Sequence, residues 1–112
     1  MSSGYNEQDL SAAARNVHRA LASFQEELEA IDYYNQRADR TEDQALKAVM
    51  LHNRNEEMEH AAMLAEWLRR NVPEFDAAMK TYLFTQKPIT EIEAGARGGA
   101  PAAVGLGIGN LK

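Results

Sequence analysis

At 112 residues the chain has room for one small domain. Its 45% hydrophobic content, mean hydropathy of −0.51 and lack of any run of ~18 apolar residues exclude a membrane-spanning helix. The absence of cysteine excludes disulfides and thiolate metal sites. A net charge of −5 argues against a nucleic-acid reader, which carries a basic patch.

Residues 1–9 show no apolar period and are expected to be disordered. MSSGYNEQDL has neither the basic nor the apolar region of a secretion signal, so cytoplasmic placement is the expectation. From Tyr5 to Val72 there is no glycine and no proline, which predicts helix almost throughout. The punctuation falls at Ala38 to Thr41, where Thr41 and Gln44 fit a capping box with Glu42 and Asp43 in the first turn. The expected helices therefore run from about Ser11 to Asp39 and from about Glu42 to Arg70. Arg69 and Arg70 close the second one, and Asn71 with Pro73 stops it.

A short loop between two long helices makes them antiparallel neighbours. Pro73 opens a shorter helix, PEFDAAMKTYLF, with Phe75, Met79, Tyr82 and Leu83 on one side. Lys87-Pro88 breaks it, and Thr90 with Glu93 caps one further turn. The helical domain is thus expected over residues 10–94. Six of the seven glycines lie between Gly95 and Gly109, which reads as a flexible linker over 95–105. The last residues, LGIGNLK at 106–112, turn apolar again.

The fold class is all-α: an antiparallel two-helix hairpin plus a short C-terminal helix. Two long helices cannot enclose a core by themselves, so the simplest completion is a second copy, giving a four-helix bundle across a two-fold axis.

The stretch from Leu46 to Leu68 carries the chemistry. Its inward stripe, stepping by three and four, reads Leu46, Met50, Asn53, Glu57, His60, Leu64, Trp67. A carboxylate and an imidazole thus stand in the middle of an apolar stripe, at a cost of roughly several kcal/mol each unless compensated. Helix 1 carries the matching stripe Val17, Ala20, Phe24, Glu27, Ile31, Tyr34, Ala38. Glu27 is midway along its helix, as Glu57 and His60 are along theirs, and in an antiparallel hairpin the midpoints meet.

Glu27, Glu57 and His60 make up half of the ligand set of di-iron carboxylate bundles, and a two-fold dimer supplies the other half. Two ferrous ions bring four positive charges, and two copies of each glutamate bring four negative ones. Glu57 could bridge the metals, with Glu27 and His60 as terminal ligands. Carboxylate and imidazole donors suit redox-active iron, while zinc or manganese could take the same atoms.

Other polar residues leave alternatives open. Glu26 and Glu29 read either as a solvated helix face or as a cation-collecting carboxylate cluster. Glu56 and Glu59 read as solvent-facing. Tyr34 is either a core aromatic or a hydrogen-bond donor to a ligand carboxylate. His18 and His52 read as bystanders, and the methionines at 50, 58, 63 and 79 as packing residues.

The runs EELEAIDYYNQR, HNRNEEMEHAAMLAEWLRR, TYLFTQKPIT and LGIGNLK, in that order, resemble the encapsulated ferritins from about Val17 onward. The resemblance implies a half-sized ferritin-like protein whose ferroxidase centre forms between two subunits, with ligands at Glu27, Glu57 and His60. It implies metal-uptake carboxylates at Glu26 and Glu29, followed here by Tyr33-Tyr34 where the family often has Trp-Tyr. It implies an annular decamer that oxidises Fe(II) to Fe(III) with oxygen inside an encapsulin nanocompartment. The terminal LGIGNLK, with Leu106, Ile108 and Leu111, is similar to an encapsulin cargo-loading peptide. Gly107 and Gly109 between these residues permit close backbone approach. The rival expectations are a structural adaptor bridged by metal and a rubrerythrin-like peroxidase, the latter weakened by the absence of cysteine for an iron–sulfur donor.

Overall fold

The protein is described here from a computed structural model, in which the described residues run from 7 to 99, with side chains to 96. They contain a 3₁₀ turn at Glu7–Asp9 and four helices, α1 Ala12–Arg40, α2 Gln44–Asn71, α3 Pro73–Tyr82 and α4 Ile89–Gly99. The chain divides into two compact units between Asn71 and Val72. Within the first, α1 and α2 pack against each other as a helical hairpin.

The long helices begin where side chains can satisfy their free amides. Ser11 caps α1, its Oγ accepting from Ala14 N at 3.1 Å. For α2 the cap is Asp43, whose Oδ1 accepts from Leu46 N at 3.0 Å. Thr41 instead receives the Asp43 amide at 3.2 Å within the loop, so the expected capping box is displaced by two residues. A short Asp side chain reaches the third amide as well as Thr does, and its charge complements the helix dipole. The N-terminal expectation also needs correction at its end. Arg19 grips the Glu7 carboxylate with two hydrogen bonds, and Arg15 donates to the carbonyls of Glu7 and Leu10, so residues 7–9 are ordered against α1.

Every residue of the α1 stripe from Val17 to Ala38 is buried or half-buried, with Ala20 and Ala38 the deepest. On α2 the side facing α1 is rotated from the expected stripe. Ala61 and Leu68 are buried there, whereas Leu46 and Trp67, the two ends of that stripe, are 42% and 37% exposed. Leu68 is the one large side chain among the described residues to be fully buried, which stabilises the hairpin by roughly 2–3 kcal/mol.

In the second unit, α3 and α4 pack together. Pro73 stands in the first turn of α3, and Phe75, Met79 and Tyr82 are half-buried as expected, while Leu83 lies at the cap and is exposed. Phe84 takes a φ of 62° and is fully exposed, a conformation that favours glycine at helix ends; nothing in the structure explains phenylalanine there. Helix α4 continues to Gly99, past Ala94 and into the stretch read as linker. The rest of that stretch and LGIGNLK, with Leu106, Ile108 and Leu111, lie outside the described residues.

Candidate metal centre

Halfway along the hairpin the three residues of the apolar stripes come together. Glu27 projects from α1, and Glu57 and His60 project from successive turns of α2. His60 Nδ1 is 3.2 Å from Glu57 Oε1 and 3.4 Å from Glu27 Oε1. One ligand atom from each lies within 4.8 Å of the others. The side chains are half-buried, with Glu27 and Glu57 about a quarter exposed (25% and 24%) and the imidazole 44% exposed.

The electrostatics of this group are unsettled without a further charge. A single ring nitrogen faces two carboxylate oxygens, and one N–H can satisfy only one of them. Its hydrogen bond goes to Glu57. Glu27 Oε1 is left shut off from solvent and without a hydrogen bond, a costly state for a carboxylate oxygen. The protonation follows from this crowding. Glu27 is held above the usual carboxylate range by hydrogen-bonded sharing with Glu57, then by burial and by the Glu57 charge. Glu57, the other partner of that pair, is held below it, chiefly by Glu27 and then by His60. The imidazole is pushed up, first by its hydrogen bond to Glu57 and then by the charge of Glu27.

A divalent cation fits this donor set. It would satisfy the Glu27 oxygen that lacks a hydrogen bond, offset the repulsion between the two carboxylates, and meet oxygen and nitrogen donors suited to iron. Glu27, Glu57 and His60 are the residues that would hold it.

The other candidates stand outside this group. Glu26 and Glu29 are exposed on α1, and neither belongs to a cluster of three potential metal ligands among the described residues. Glu29 Oε2 accepts a hydrogen bond from the Tyr33 hydroxyl at 3.0 Å, which raises the Tyr33 phenol above its ordinary value. Tyr34 is half-buried, and among the described residues its hydroxyl has no hydrogen bond to a ligand carboxylate. Its ring instead lies under the Arg37 guanidinium, 5.6 Å from the centroid, and Arg37 covers Tyr33 at 5.8 Å as well. Sequence reading did not single out Arg37, although its spacing of three and four from the two tyrosines was the available signal. His52 lies 3.9 Å from Glu56 on the exposed side of α2.

Residues 3–86 match the EncFtn-like family. A ferritin-like protein of Thermotoga maritima is 53% identical over 104 residues, which cover 92% of this chain and 91% of that protein. An encapsulated ferritin-like protein of Rhodospirillum rubrum is 51% identical over 109 residues, covering 87% and 78%. The crystal structure of a Nitrosomonas europaea protein superposes with a TM-score of 0.75 at 55% identity, over 78% of this chain and 97% of that one. The resemblance carried by the glutamate and histidine motifs therefore holds at the level of sequence and of fold, and the chain belongs to the EncFtn-like family of encapsulated ferritin-like proteins.

Proposed function

We propose that this chain is a ferroxidase, oxidising Fe(II) to Fe(III) with dioxygen at a di-iron centre shared by two copies of itself. The observation that carries the reading is Glu27 Oε1, a buried carboxylate oxygen without a hydrogen bond, grouped with a second carboxylate and an imidazole. One chain offers three donors, fewer than two ions need, and a second copy across a two-fold axis doubles them. Ferrous ions bound there supply the electrons that reduce dioxygen. The chain's own part is to gather the ions with carboxylates hard enough to favour the ferric product, and to offer the imidazole and Glu27 as donors for which the cation competes with protons. Tyr34 lines the same stripe. Glu26 and Glu29 collect cations on the outside of α1.

The test is Fe(II) oxidation begun by adding oxygen to the anaerobic, iron-loaded protein. Glu27→Ala, Glu57→Ala and His60→Ala are each expected to fall to the uncatalysed background. A full rate in Glu57→Ala would defeat the assignment. Bound metal in the parent without oxygen consumption would favour a structural bridge.

The names of the relatives support a further part of the reading. We take the dimers to assemble into a ring held inside an encapsulin nanocompartment in the cytoplasm, with residues 106–112 as the cargo-loading peptide. Leu106, Ile108 and Leu111 supply apolar anchors, and the glycine-rich tether raises the local concentration of tails at the shell wall. Deleting residues 106–112 is expected to spare Fe(II) oxidation and abolish co-purification with a co-expressed shell protein. Retention in the shell after that deletion would count against the peptide.

A further inference from the structure

The buried side chains of the hairpin seam are Ala20 and Ala38 on α1 and Ala61 and Leu68 on α2. Three of the four are alanines, and the fourth, Leu68, lies about two turns beyond His60, on the side of the triad away from Arg54. Alanine methyl groups slide past one another at small cost, because they neither fill deep holes nor block the next turn. Yet a slide of one turn carries Glu27 ~5.4 Å along α2. That is more than enough to abolish its 3.4 Å approach to His60. On the alanine-lined side of the triad, a directional contact across the seam would add to what Leu68 does from the other side.

Arg54 and Asn35 make one. Arg54 Nη1 on α2 donates to Asn35 Oδ1 on α1 at 2.9 Å. The other two guanidinium nitrogens, Nε and Nη2, donate to Asn55 Oδ1 at 3.2 and 3.1 Å, so the plane of the fork is braced from its own helix. Arg54 is half-buried beside a groove that Ala38 and Leu51 also line. The pair stands roughly two helical turns from the triad on each helix, measured to Glu27 and to His60. Asn35 is exposed, so the bond lies at the edge of the seam, where a directional polar contact between two helices can still favour one register. We propose that Asn35 and Arg54 are positioning residues, whose hydrogen bond locks the α1–α2 register and so holds Glu27 opposite Glu57 and His60. The inference rests on reading that triad as a metal site.

Co(II) titration of the full-length chain, followed by its visible absorption, tests the lock. Asn35→Ala and Arg54→Met should each bind Co(II) about tenfold more weakly, the loss expected for one hydrogen bond to a charged group, and with an altered band shape. The double variant should be no worse than either single one, because both remove the same contact. Arg54→Lys keeps a cationic donor toward Asn35 and should stay near the parent. Circular dichroism separates slippage from unfolding, and if Arg54→Met loses helix, Asn35→Ala and Arg54→Lys decide the matter. Folded single variants with the parent's Co(II) affinity and spectrum would overturn the lock and leave the metal site standing. Failure of the parent itself to bind Co(II) would overturn the metal-site reading and the lock with it.

Discussion

Glu66, in the last turns of α2, has both carboxylate oxygens engaged. Arg69 donates to each of them at 2.8 Å, and Arg70 donates to Oε2 at 2.7 Å. The Arg69 hydrogen bonds first, and Arg70 second, hold this carboxyl at about 2, against an ordinary 4.5. The sign of its effect follows. Because the folded value is lowered, the unfolded chain binds more protons in between, and the contribution to stability is present above 4.5 and lost as pH falls toward 2. The carboxylate is 42% exposed, so salt will weaken the effect. Thermal unfolding followed from neutral to acid pH should fall less steeply in Glu66→Gln over that window than in the parent, and the two should converge at high salt. Parallel acid limbs at low salt would mean that the arginines contribute nothing there. At this scale the grouping of Glu27, Glu57 and His60 was legible, because a carboxylate or an imidazole on an apolar stripe is conspicuous. The orphaned state of Glu27 Oε1 was not, since it depends on which way one imidazole nitrogen points.

Between the elements, the hairpin could be read from the absence of glycine and proline over its whole length and from the alternation of threes and fours. The residue that starts α2 could not, because Thr41 and Asp43 are both good caps two positions apart and the loop conformation decides between them. That choice makes a prediction. Asp43→Ala should cost about 1 kcal/mol, and Thr41→Ala less, since the threonine hydroxyl receives an amide of the loop and not of the helix. Leu68→Ala should cost more than either, about 2–5 kcal/mol, because it empties the deepest position of the seam. Denaturant unfolding under conditions where all variants share one oligomeric state would measure the three. A Thr41→Ala loss exceeding that of Asp43→Ala would restore the capping box as first drawn. The helix that continues through Gly99 was hidden for a different reason: glycine-rich composition argues for a tether, whereas the preceding Ile89 to Ala94 already carry the chain into helix.

For the whole molecule, the instructive departure is the exposure of Leu46 and Trp67, which periodicity assigns to the same stripe as Glu57 and His60. Val49 and Met63 on α2 are also left open, at 52% and 63%. A stripe that satisfies helical periodicity but is only partly covered within its own hairpin is what a shared bundle requires, and the triad opens along it. Sequence reading gave α2 one apolar face when it has two jobs, one toward α1 at Ala61 and Leu68, the other toward the proposed twin. Trp67 can report on the second, because it is the sole tryptophan in the chain. In dilute, metal-free protein its 37% exposure should give red-shifted emission that acrylamide quenches readily. Since the proposed ligands are divided between copies, Fe(II) added without oxygen should favour assembly by linkage. The emission should then move to the blue and the quenching weaken, in step with the growth of dimers and rings in native mass spectra. Glu57→Ala, deprived of a ligand, should need a higher protein concentration to show the same shift. If metal drove assembly while Trp67 stayed as accessible as before, the twin would have to sit on another face, and the doubling of Glu27, Glu57 and His60 across this one would be lost with it.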